Sequence, residues 1–170
     1  MQEKTLPTTR FSNTVENYIK YRPGYPEEII PLLTNMTGLN PASMLADIGS
    51  GTGKSSELFL ENGNKVYGIE PNDPMRHAAE NLLKKYSHFT SICGTAEETT
   101  LPPDSIDIII SGQAFHWFNR QDAKKEFLSL LTGLREPVAY AKTASEALSL
   151  AKKRFSYDTW REQLADLVGP

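Results

Sequence analysis

The sequence predicts an α/β fold in which a parallel sheet carries helices on both faces. Three observations predict it. Short apolar runs alternate with segments of helical periodicity from about residue 44 to residue 131. The first run ends in a glycine cluster, Asp47-Ile48-Gly49-Ser50-Gly51-Thr52-Gly53, where a strand would turn into a helix. The fourth run, Ile106 to Ile110, is rich in isoleucine, which suits a strand covered on both faces.

Residues 1–10 are a polar leader. Asn13 or Thr14 can cap a short helix with Val15, Tyr18 and Ile19 on one face. Tyr21-Arg22-Pro23-Gly24-Tyr25-Pro26 breaks it. A second helix is expected from near Pro26, with Glu27 and Glu28 in its first turn, ending around Thr37-Gly38. Met44 to Ile48 reads as a buried strand and residues 53–62 as a helix stopped by Asn62-Gly63. Lys65 to Ile69 is the second strand. Asn72 or Asp73 caps a helix from about Pro74 to Tyr86. Phe89 to Cys93 is the third strand, Ile106 to Ile110 the fourth, and a helix follows from about Arg120 to Leu131.

The last forty or so residues change character. Thr143-Ala144-Ser145-Glu146 has capping-box spacing and opens a helix through about Phe155. Another is expected from Ser156 or Asp158 to Val168, and Pro137 to Tyr140 is a weak strand candidate. The expected organisation is a ligand-binding domain over 1–132 and a helical tail, 133–170, packed on the sheet edge beside the fourth strand. Such an edge would otherwise bare unpaired backbone groups.

Bulk properties narrow the function. A formal charge of −3 argues against a protein built mainly to grip nucleic acid. With Cys93 alone, no intrachain disulfide can form, and His77, His88 and His116 lack metal-ligand spacing with it, so no metal site is expected. Cys93 is expected to be a small buried apolar residue. No apolar run approaches the roughly 20 residues that span a bilayer, and Met1 to Arg10 does not resemble a signal peptide. The default expectation is a cytoplasmic protein without a membrane partner.

The chemistry gathers at the glycine cluster. Glycines there let the backbone adopt positive φ and approach a ligand, and the helix beyond presents free N–H groups. Asp47 can accept a bond from a ligand's ammonium or orient the turn. A nucleotide P-loop needs its first glycine at position 48, which is Ile48, although Gly53-Lys54-Ser55 supplies the second half. A dinucleotide fingerprint needs a glycine at position 54, which is Lys54.

The observed pattern resembles class I S-adenosylmethionine-dependent methyltransferases over roughly residues 10–130, and so implies a Rossmann-like fold with that cofactor. Asp47, Gly49, Ser50, Gly51 and Gly53 look like the family's first motif. Glu70, with Pro71 after it, matches the second acidic position, where a carboxylate can accept bonds from both ribose hydroxyls. Thr95, Ala96 and Glu97 resemble the segment bordering the adenine. Gln113, Phe115, His116 and Trp117 follow the fourth strand and would face the transferring methyl. This segment and Tyr18, Arg22 and their neighbours resemble a small-molecule subset of the trans-aconitate type. The resemblance implies that Tyr18, Arg22 and Gln113 contact the cofactor, that Phe115, His116 and Trp117 line the acceptor site, and that His116 is a candidate general base. Aromatic rings of Tyr18, Phe115 or Trp117 could favour the cationic sulfur. After Leu131 the family has a proline-glycine-glycine turn and further strands, whereas this chain has Thr132-Gly133-Leu134-Arg135-Glu136-Pro137. That departure implies a sheet truncated after the fourth strand. Three functions follow: methyl transfer to a small-molecule acceptor, a non-catalytic cofactor-binding remnant or interaction domain, and, remotely, a P-loop nucleotide hydrolase.

Overall fold

The computed structural model describes residues 24–132. The short helix expected at residues 13–19, Tyr18 and Arg22, and both tail helices lie outside the described residues.

Within them the order is α1 (Ile29–Thr37), β1 (Met44–Ile48), α2 (Lys54–Glu61), β2 (Lys65–Ile69), α3 (Asp73–Leu83), β3 (Phe89–Ile92), β4 (Ile108–Ile110), a short 3-10 turn (Phe115–Trp117) and α4 (Arg120–Leu130). The four strands form one sheet in the order β3-β2-β1-β4. Every pairing is parallel, with Leu45 opposite Val66 on one side of β1 and opposite Ile108 on the other. The chain starts in the middle, builds outward to β3, then returns across β1 to lay down β4. The gap above β1 and β4 is therefore the place where strand order reverses, and ligands of open parallel sheets bind at the carboxyl ends there.

Side-chain alternation along the strands splits the core in two. Leu45, Val66, Ile108 and Ile110 pack with Leu33 of α1, Leu58 and Phe59 of α2 and Leu83 of α3. Ala46, Ile48, Ile69 and Ile109 face the other way, against Ala123, Phe127 and Leu130 of α4. Burial of a large apolar side chain is worth about 1.5–3 kcal/mol, so both faces contribute heavily to stability. The long return from β3 to β4 runs over the α4 face. Its Ala96 is buried in that core, and Thr99 donates through N–H and hydroxyl to the Glu126 carboxylate of α4.

Caps set the ends. The Asn72 side chain accepts from the Met75 N–H at 3.0 Å and Pro74 follows, which starts α3 at Asp73. Gly38 ends α1 at φ +75°, its N–H donating to the Thr34 carbonyl.

Three expectations need correction. Helix α1 begins at Ile29, because Pro26 to Glu28 form a tighter turn in which the Ile29 and Ile30 N–H groups reach back three residues; no acid lies in its first turn. Strand β4 begins at Ile108, because Ile106 instead makes a parallel bridge with Leu131, and the Thr132 N–H donates to the Ile106 carbonyl. The chain after α4 thus begins to pair beside β4. Cys93 is exposed, since β3 ends at Ile92 and leaves it past the strand's carboxyl end.

Candidate functional site

The glycine turn is clamped between two strands. The Gly49 and Ser50 N–H groups both donate to the Ile69 carbonyl at the end of β2, at 2.9 and 3.1 Å. Gly49, Gly51 and Gly53 all have positive φ, at +71°, +57° and +81°. Only glycine adopts such a run without strain. Packing demands two of them as well. A Cβ at Gly53 would stand 2.5 Å from Leu83 Cδ1, so this glycine lets α3 close on the start of α2. A Cβ at Gly49 would overlap the Ala114 side chain, so the turn supports the loop leaving β4. Any side chain at Gly49 would strike Ala114 first.

Asp47 is the next-to-last residue of β1 and is completely buried. Its Oδ2 accepts from the Ser55 and Ser56 hydroxyls, at 2.6 and 2.7 Å, on the first turn of α2. Oδ1 is buried without a hydrogen-bond partner. Burial pushes the Asp47 carboxyl above its ordinary pKa, against the opposing pull of the serine bonds. Of its two sequence roles, Oδ2 orients the turn and Oδ1 is the atom with acceptor capacity to spare.

Glu70 follows β2. Its Oε2 accepts from the Gly51 N–H and its Oε1 from the Asn72 N–H, both at 2.9 Å. The side chain therefore braces the turn and the entry to α3. A carboxylate has about four acceptor sites, so two bonds leave capacity for a diol. Burial raises the Glu70 pKa; the two backbone bonds lower it and the Asp47 charge adds to the rise. Pro71 is half-buried beside it.

Past β3, Thr95 and Glu98 lock one another: the Thr95 N–H donates to the Glu98 carbonyl and the Glu98 N–H to Thr95 Oγ1. The Ala96 side chain packs inward, so only its backbone is offered to a ligand. Glu97 Oε1 accepts from the Asn119 N–H at 2.7 Å and ties this loop to the start of α4.

Past β4, the Ser111 hydroxyl donates to the Ile48 carbonyl at 3.0 Å, joining the ends of β4 and β1. Gln113 sits at φ +60°, a conformation that costs a non-glycine residue energy and tends to occur at ligand sites. Phe115 is half-buried, with the Arg120 guanidinium 5.8 Å from its ring centre. His116 and Trp117 are exposed and their rings lie 4.7 Å apart. Phe118 packs edge-on to Phe115 and Phe127, anchoring the exposed pair.

Asp47, the glycines, Glu70 and the Gln113–Trp117 segment thus gather at the carboxyl ends of β1, β2 and β4. Sequence reading did not find Ser55 and Ser56 as partners of Asp47, or the contact of Gly49 with Ala114. The signal for the serines was present: they fall eight and nine residues after Asp47, on the first turn of the expected helix.

Comparison with known proteins adds a family. Residues 46–133 match the model of a methyltransferase domain. An uncharacterized methyltransferase of a Geobacillus species is 28% identical, with 92% of this chain and 82% of that protein covered. An uncharacterized methyltransferase of Mycobacterium tuberculosis is 31% identical over 71% of this chain and 47% of its own. One of Schizosaccharomyces pombe is 29% identical with the same coverage, so the chain spans about half the length of these two relatives. Among solved structures, the YcgJ protein of Bacillus subtilis is similar at 25% identity and a TM-score of 0.56, over 62% of this chain and 47% of its own. A protein of Methanococcus maripaludis, provisionally assigned as an S-adenosylmethionine-dependent methyltransferase, shares the fold across 95% of this chain and 77% of its own, with a TM-score of 0.65 at 17% identity.

Proposed function

Since the chain belongs to the methyltransferase-domain family, we propose that it transfers a methyl group from S-adenosylmethionine to a small-molecule acceptor, in the manner of the trans-aconitate type. The observation that carries this reading is the bond from the Gly51 N–H to Glu70, which fuses a glycine turn and a second acid beside the point where strand order reverses.

The residues fit the cofactor. Glu70 keeps acceptor capacity for the ribose hydroxyls, and the loop at Thr95–Glu97 borders the base through its backbone. The buried Asp47 Oδ1 has no partner and is suited to an ammonium. Gly49, Ser50, Gly51 and Gly53 allow close approach, Pro71 flanks the ribose, and Gln113, Tyr18 and Arg22 complete the cofactor set. The bound cofactor supplies a methyl on a sulfonium, already a good leaving group, so positioning supplies much of the rate. Phe115 and Trp117 line the acceptor side with aromatic surface that favours a cation. His116 holds a proton acceptor at the exposed turn for acceptors that must lose a proton on attack.

A second reading, cofactor binding without turnover, rests on the departure from the family's turn at Thr132-Gly133-Leu134-Arg135-Glu136-Pro137. Incubation with methyl-labelled S-adenosylmethionine and a panel of small carboxylic acids, amines and phenols separates the two. Label transfer is expected to at least one acid. Tight binding of S-adenosylhomocysteine with no transfer to any acceptor would favour the second reading.

A further inference from the structure

Tyr25 belongs to no part of the site described so far. Its ring is half-buried against the apolar core shared by α1 and α2. Its hydroxyl reaches the loop leaving β4 at Gly112. A Cβ built on Gly112 would overlap the Tyr25 Oη, stand 3.0 Å from its Cζ and lie 3.4 Å from Ser55 Oγ. Gly112 has no positive φ, so backbone conformation does not call for glycine there. What calls for it is the space that the tyrosine hydroxyl fills. The Ser55 hydroxyl donates in turn to the buried Asp47 Oδ2. Tyr25 Oη, Gly112, Ser55 and Asp47 therefore form one continuous wall between the end of β4 and the first turn of α2.

That wall lies across β1 from Glu70, since β2 and β4 flank β1 on opposite sides. A cofactor whose ribose sits on Glu70 and which extends along the reversal point brings its opposite end toward β4. In S-adenosylmethionine that end is an amino acid, with an ammonium and a carboxylate. The wall offers matching groups: a hydroxyl donor at Tyr25, the N-terminal end of α2, and the unpartnered buried Asp47 Oδ1.

We propose that Tyr25 is a specificity-determining residue for the cofactor, its hydroxyl seated in the notch left by Gly112 so that the site reads the amino-acid end of the ligand. The proposal rests on the functional reading above. Gly112 is the positioning residue: it acts only by admitting the tyrosine.

The test compares two ligands by calorimetry, S-adenosylhomocysteine and 5′-methylthioadenosine, which lacks the amino acid. Tyr25→Phe keeps the ring and removes the donor. It is expected to weaken S-adenosylhomocysteine about tenfold or more, the weight of a hydrogen bond to a charged group, and to leave methylthioadenosine within about twofold. Gly112→Ala, checked for a cooperative melt, displaces the tyrosine and gives the same selective loss. In the double variant the two losses do not add, because both remove one contact. Parallel losses on both ligands, additive losses, or a folded Tyr25→Phe protein with unchanged S-adenosylhomocysteine affinity would overturn the proposal while the functional reading stands. A folded parent protein that binds neither ligand would overturn both.

Discussion

Replacing Glu70 tests whether its carboxylate acts on the ligand alone or also on the fold. Its two oxygens accept from Gly51 and Asn72, and the residue is 9% exposed. Glu70→Ala strips both N–H groups of their acceptor. An unsatisfied buried donor costs about 1–3 kcal/mol, so roughly 2–6 kcal/mol is at stake. Relief of the desolvation that raises the Glu70 pKa offsets part of this. A net loss of about 2 kcal/mol is the expected outcome. Glu70→Gln keeps one acceptor oxygen and should lose about half as much. Urea denaturation followed by circular dichroism gives the stability term, and calorimetry with S-adenosylhomocysteine gives binding. Glu98→Ala, on an exposed residue of the next loop, is the control with little effect on either. A Glu70→Ala variant that matches the parent in stability and loses only affinity would refute this role. The carboxylate would then not brace the turn.

Gly49→Ala should lose about 1–2 kcal/mol to a left-handed backbone, and more to overlap with Ala114, together with cofactor binding; near-normal affinity in a folded variant would refute the packing argument. The folded-state pKa of Asp47 is raised by burial. Its contribution to stability is therefore full below the ordinary carboxylate range and is lost as pH rises through the raised value, so as pH climbs out of the ordinary range the parent should lose ground to Asp47→Asn in urea midpoint; a parent that gains on the variant over that rise contradicts the sign. His116 is exposed, so His116→Ala should leave S-adenosylhomocysteine affinity unchanged and lower turnover by about 10²–10⁴-fold if the ring takes the acceptor's proton; unchanged turnover removes it from the chemistry.

Much of the described fold was legible because its signals are local. Strands β1 and β2 fall where the apolar runs Met44–Ile48 and Lys65–Ile69 predict, since each is short and ends at a turn. Asn72 caps α3 through its own side chain, one of the two candidates its sequence position offered. The misses depend on contacts distant in sequence. Ile106 looks like strand and is claimed by Leu131, 25 positions on. Pro26 suggests a helix start, yet the chain first tightens into a turn before α1. Cys93 has the composition of a core residue and the position of a strand's open end. At the site, the glycines and both acids were readable by motif. Their partners were not, because a motif states which residues recur and not that Ser55, Ser56 and Ala114 press on them.

In the proposed site one cofactor spans the reversal point with its ribose on Glu70. A crystal structure with S-adenosylhomocysteine bound measures this directly. Both ribose hydroxyls are expected within hydrogen-bonding distance of the Glu70 carboxylate, the adenine beside the Thr95–Glu97 loop, and the amino-acid end near Asp47 and the end of β4. A ligand bound elsewhere on the folded protein, or lying the other way with its adenine against β4, would contradict it.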